Sequence, residues 1–196
     1  MISRATETCH AMHDATHASL PSPWVQRWTP LVPAGTPVLD IACGGGRHLR
    51  WFARHGHPVT GVDRDPQAVA TARGLGEAIE ADIEGGPWPL AGRRFGAVVV
   101  THYLWRPLLP TVLDSVAEGG ALIYETFAEG NASVGRPARP EFLLRHGELL
   151  ALCAAPQWRV VAYEDGFLSP PERFVQRIAA VRAPWGTAEG PARHPL

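Results

Sequence analysis

Val38-Leu39-Asp40-Ile41-Ala42-Cys43-Gly44-Gly45-Gly46-Arg47, followed by Val59-Thr60-Gly61-Val62-Asp63, reads as a buried strand, a glycine turn, a helix start and a second strand ending in an acid. Glycines after a first strand let the backbone approach a ligand closely, and the helix that follows offers free N–H groups. An acid closing the next strand, about 20 residues on, is placed to accept hydrogen bonds from both hydroxyls of a ribose. The pattern points to a cofactor of the adenosine type.

Spacing narrows the choice. A dinucleotide fingerprint is Gly-x-Gly-x-x-Gly, but counting from Gly44 leads to Gly46 and then Leu49, so the third glycine is missing. The glycines instead follow an acid, as Asp40-x-Ala42-Cys43-Gly44-Gly45-Gly46. This resembles the first motif of class I S-adenosylmethionine-dependent methyltransferases, Asp/Glu-x-Gly-x-Gly-x-Gly, with Ala42 where that family usually has its first glycine. One extra methyl group predicts a slightly less intimate turn, not a lost site. The cofactor implied by the resemblance is S-adenosylmethionine.

Working outward, strand-like and helix-like stretches alternate through residue 127, which predicts a doubly wound parallel sheet. Ser22-Pro23 opens a short helix through Trp24, Val25, Trp28 and Leu31, with the tryptophans packing on the sheet or shielding the cofactor. A helix over 46–55 follows the glycine turn, Asp65-Pro66 caps another through Ala72, and 78–81 is a short third strand. Residues 96–101 form a buried strand, 108–118 a helix stopped by Gly119-Gly120, and 121–127 a fifth strand. A loop or lid at 128–140 precedes a helix over 142–154 and strands at 159–165 and 173–182. The resemblance implies a Rossmann-like, mostly parallel seven-stranded sheet closed by a C-terminal antiparallel hairpin. One domain over 21–182 is expected, with a disordered leader at 1–20 and a loosely ordered tail at 183–196.

Bulk composition bounds the function. With 196 residues, 45% hydrophobic, the chain suits one soluble domain. Its apolar runs are too short for a membrane span, and no signal peptide is visible. Cys9, Cys43 and Cys153 form no disulfide or zinc pattern, which points to a reducing cytoplasm. A net charge of −1 argues against a nucleic-acid footprint, and eighteen basic residues with no lysine suggest a GC-rich bacterial coding bias. Cys9, His10, His13, Asp14 and His17 in the leader read as a polar arm, so no metal site is expected.

Ligands in such sheets bind beyond the carboxyl ends of the strands. The resemblance implies that Asp40 orients the loop and meets the amino group of the methionyl moiety, with Ala42, Cys43, Gly44 and Gly46 passing alongside. Arg47 either meets the cofactor carboxylate or is a surface arginine. Asp63, with Arg64 beside it, is expected at the ribose, since Asp65 is better placed to cap the next helix. Asp82 matches the family's adenine site, with Ile83 adding backbone and apolar contact; otherwise it is a surface turn acid. Thr101, His102, Tyr103 and Trp105 follow the fourth strand, where the methyl group is presented. His102 is the candidate base and Tyr103 a wall of the pocket, or the aromatics simply close the core edge. Glu125 and Thr126 are further candidates, and His146 reads as a surface residue.

Short length, Cys43-Gly44-x-Gly46-Arg47 and the Glu148-Leu149-Leu150 helix before a Trp158-containing hairpin look like tellurite-resistance-type and thiopurine-type small-molecule methyltransferases. That implies a small, polarisable acceptor under a lid at 134–145. Two other readings stay open. An RNA or protein methyltransferase needs Arg93, Arg94, Arg136, Arg139 and Arg145 on one face, and a noncatalytic S-adenosylmethionine-binding protein needs a closed pocket.

Overall fold

Strands whose every residue is apolar or buried take the middle of a sheet, and here β1 (Val38–Ile41) and β4 (Phe95–Thr101) are buried along their whole length. The computed structural model describes residues 20–183; the expected leader and tail, including the His-containing arm, lie outside the described residues apart from positions 20 and 183. With β2 (Val59–Asp63), β3 (Glu77–Glu80), β5 (Val116–Phe127), β6 (Trp158–Leu168) and β7 (Arg173–Arg182), the strands form one sheet in the order β3-β2-β1-β4-β5-β7-β6. The first five strands run parallel, and β7 is antiparallel to both β5 and β6. This is the expected seven-stranded Rossmann-like sheet with its terminal hairpin. Chain order reverses between β1 and β4, and that switch point opens a crevice at the carboxyl ends of the strands.

Period-2 alternation divides the core between the two faces of the sheet. Val98, Val100, Leu122, Tyr124 and Ile178 pack on one face, and Ala97, Val99, Ala121, Ile123 and Ala179 on the other. Helix α1 (Pro23–Trp28) begins as its sequence predicts, Ser22 Oγ accepting from Trp24 N at 3.1 Å. Trp24 and Trp28 are both buried, their rings 5.5 Å apart edge to face, and Trp24 Nε1 donates to Ile178 O. They pack on the sheet. Helices α2 (Arg47–Arg54) and α3 (Pro66–Ala72) follow, the latter capped by Asp65, which accepts from Gln67 N at 2.8 Å.

Two expected helices are shorter than the sequence suggests. Helix α4 covers only Leu109–Asp114. Ser115 turns its hydroxyl back to Thr111 O, and Ser115 O accepts from Phe95 N at 2.8 Å, so the chain joins the sheet at once. Gly119-Gly120 therefore lies inside β5 instead of stopping a helix. Helix α5 spans only Glu148–Leu152. Leu144 exchanges backbone hydrogen bonds with Phe127 and Glu129, so residues 143–144 extend beside the end of β5 before Gly147 turns the chain.

Candidate active site

The glycine turn is built by left-handed backbone. Ala42, Gly44 and Gly46 have φ of 55°, 52° and 78°. A Cβ on Gly46 would also lie 2.9 Å from Leu75 Cδ1, so both conformation and space demand glycine there. Ala42 carries its methyl group in a conformation that costs a non-glycine residue about 1–2 kcal/mol. The departure at Ala42 thus shows up as strain in the turn. Gly61, which the sequence reading passed over, supports the same turn from β2. A Cβ there would sit 2.7 Å from both Cys43 Sγ and Leu49 Cδ1. A glycine in the middle of an apolar strand was the available signal.

Asp63 ties the two strand ends together. Its Oδ2 accepts from Gly44 N at 2.7 Å and its Oδ1 from Asp65 N at 2.9 Å. Each oxygen keeps a further lone pair directed elsewhere. Asp40 is different: it is 1% exposed, and neither carboxylate oxygen has a hydrogen-bond partner among the described residues. His48 Nδ1 approaches Oδ2 to 3.4 Å without hydrogen-bond alignment. His48 Nε2 accepts from Ser22 N at 3.2 Å, which puts the ring proton on Nδ1, toward Asp40. Ser22 Oγ in turn donates to Glu125, which also pairs with Arg177 at 3.2 Å. Glu125 and Thr126 are buried, and Glu125 is consumed by these partners.

Ala42 borders two hollows on the crevice. The larger, about 520 Å³, is lined by Cys43, Gly44, Arg47, His48, Thr101 and His102, among others. The smaller, about 190 Å³, is lined by Asp63, Arg64, Asp82, Ile83, Glu84 and Tyr103. Arg47 is half-buried, not on the open surface, and its Nη2 is 3.4 Å from Thr101 Oγ1. Burial pushes the Cys43 thiol up to about 12, with Asp40 and Asp63 adding to the effect, so it stays protonated and unreactive at neutral pH. Asp82 accepts from Glu84 N and Gly85 N, and these two bonds hold its carboxyl below the usual range.

His102 and Tyr103 separate. His102 stands at the larger hollow, its backbone at φ 55° and its N donating to Glu125 O. Protein crowded around the ring, then Arg47, push the imidazole down to about 4, although its outer edge remains open to solvent. It is neutral at pH 7 and a weak base. Tyr103 turns to the smaller hollow, away from the larger one; burial and then Glu84 raise its hydroxyl well above the ordinary tyrosine range. Trp105 packs against the core. His146 is exposed and pairs with Asp165 at 2.7 Å.

The expected lid does not wall either hollow: no residue of 134–145 lines them. Arg106, just before α4, holds that segment through Glu141 O, Leu143 O and a 2.7 Å ion pair with Glu148.

Known proteins bear on this geometry. Residues 38–119 match the family model described as a methyltransferase domain. The ribosomal protein L11 methyltransferase of Thiobacillus denitrificans is 36% identical over 115 residues, covering 56% of this chain and 38% of that protein. The mitochondrial ubiquinone biosynthesis O-methyltransferase of Schizosaccharomyces pombe is 29% identical over 107 residues, covering 48% and 39%. The chain thus spans less than two fifths of the length of these curated relatives. Among solved structures, TehB from Haemophilus influenzae superposes with a TM-score of 0.63 at 18% identity, over 81% of this chain and 61% of that one, a likeness of fold. Residues 38–119, which carry the acid-then-glycine turn on β1 and the acid ending β2, are thus similar to the methyltransferase domain family, and the strand order is the fold shared with solved S-adenosylmethionine-dependent methyltransferases.

Proposed function

We propose that this protein transfers a methyl group from S-adenosylmethionine to a small-molecule acceptor by in-line displacement. Asp40 carries the cofactor side of this reading. A buried carboxylate with two unpartnered oxygens is costly unless a cation completes it, and the cofactor's amino group is such a cation. On this reading Gly44 and Gly46 let the loop follow the methionyl moiety, and Arg47 meets its carboxylate. Asp63 takes the ribose hydroxyls with its remaining lone pairs. Asp82, Ile83 and Arg64 surround the adenine, with Tyr103 as a wall.

Bound there, S-adenosylmethionine supplies an electrophilic methyl group on a sulfonium. The protein's own part is alignment and exclusion of water, with Thr101 and His102 facing the reacting atoms from the end of β4. An open hollow of about 520 Å³ suits an enzyme better than a noncatalytic binder. The arginines required by an RNA or protein acceptor are split: Arg93 and Arg94 precede β4, whereas Arg136, Arg139 and Arg145 follow β5, at the opposite end of these parallel strands. Two buried free cysteines, Cys43 and Cys153, suit a reducing compartment.

S-Adenosylmethionine and S-adenosylhomocysteine should each raise the melting temperature, and Asp63→Ala should abolish the shift. Stabilisation by NAD but not by these ligands overturns the reading. A transfer assay with labelled methyl groups against thiols, oxyanions, small heterocycles and bulk RNA then tests the acceptor class.

A further inference from the structure

Three arginines stand around the larger hollow. Arg47 and Arg50 line it from α2, and Arg173 opens β7 on the other side, its Nη1 3.5 Å from His102 Nε2. All three are half-buried, and none forms an ion pair among the described residues. Arg173 Nε is shielded from solvent and has no hydrogen-bond partner among the described residues. The nearby acids are committed elsewhere, Glu125 to Arg177 and Ser22, and Asp40, on the reading above, to the cofactor's amino group. Since Arg47 takes the single carboxylate of that cofactor on this reading, Arg173 and Arg50 are left without a counter-charge among the described residues.

A half-buried guanidinium with idle donors is costly, and its planar fork matches an oxyanion. Among the described residues the wall also lacks a good base. His48 Nε2 is occupied by Ser22 N, and His102 Nε2 faces the Arg173 guanidinium, which only donates.

We propose that the methyl acceptor is a small anion, a thiolate, carboxylate or other oxyanion, held against Arg173 beside His102 and methylated in its ionised form. This rests on the methyltransferase reading above. The acceptor's lone pair forms the bond to the methyl carbon while the carbon–sulfur bond breaks and its pair stays on sulfur. Negative and positive charge cancel, and no side chain takes up a proton. Arg173 acts by holding the charge that a base would otherwise have to create.

The test is equilibrium binding to protein saturated with S-adenosylhomocysteine, using matched pairs such as benzoate against benzamide and mercaptoacetate against mercaptoacetamide. In at least one pair the acid should bind ten times more tightly or better. Arg173→Gln should erase that preference while leaving S-adenosylhomocysteine affinity within twofold, and Arg173→Lys should keep part of it. Equal binding of acid and amide in every pair, no binding by any acid, or an unchanged preference in Arg173→Gln overturns the proposal. If S-adenosylhomocysteine itself does not bind, the methyltransferase reading fails first, and the two failures are told apart.

Discussion

Replacing Asp40 by asparagine should move stability in opposite directions with and without cofactor. In the free protein the carboxylate is buried and has no hydrogen-bond partner among the described residues. An unsatisfied buried polar group costs about 1–3 kcal/mol, and more when charged. The amide keeps the shape and the missing hydrogen bonds but removes the charge, so Asp40→Asn should gain about 1 kcal/mol and melt about 2–4 °C higher. With ligand the sign reverses. A charge-assisted hydrogen bond to an ammonium group is worth about 1.5–3 kcal/mol, which is roughly 10- to 150-fold in Kd. At a S-adenosylhomocysteine concentration about 100 times the wild-type Kd, binding stabilises the native protein by about 2.7 kcal/mol, whereas a variant weakened about 100-fold keeps about 0.4 kcal/mol. Calorimetry of both proteins with and without ligand measures all four states. A variant that melts lower than wild type alone, yet retains the full ligand shift, refutes the reasoning, because Asp40 would then be a structural residue with a partner inside the fold.

Gly61→Ala should destabilise the protein by about 1–3 kcal/mol in urea unfolding through overpacking, since its methyl group meets Cys43 Sγ and Leu49 Cδ1 at 2.7 Å. His102, held near 4, stays neutral in the native protein while the unfolded chain takes up a proton below about 6.5. The unfolded state then binds more protons, so stability falls as pH drops from about 6.5 to about 4. His102→Gln should flatten that acid limb relative to wild type in pH-dependent melting, and parallel curves would count against the account of a ring crowded by protein and Arg47. Arg106→Met should release the 140–147 segment by removing its bonds to Glu141 O, Leu143 O and Glu148. Hydrogen exchange should then speed up in that segment with little change in β1 or β4.

Local pattern made the fold legible. The apolar runs of β1, β2 and β4 admit only central parallel strands, and Ser22-Pro23 and Asp65-Pro66 carry their helix starts in their own chemistry. The glycine turn and the place of Asp63 at the end of β2 were legible for the same reason: both follow from backbone conformation and strand ends. Helix ends were not, because propensity in 115–118 and 142–147 yields to backbone pairing with β4 and β5, partners far away in sequence.

From the sequence alone came the α/β class, the cofactor class and the acids that close the strands, since each rests on residues near one another in the chain. Tertiary structure alone decided that Asp40 is left without a hydrogen-bond partner among the described residues, that Gly61 sits beneath Cys43, and that Tyr103 parts from His102. It alone brought Arg173 to His102 across 71 positions. The physical reason is that burial, desolvation and unpaired charge belong to an environment assembled from many strands, and no stretch of chain carries its environment with it.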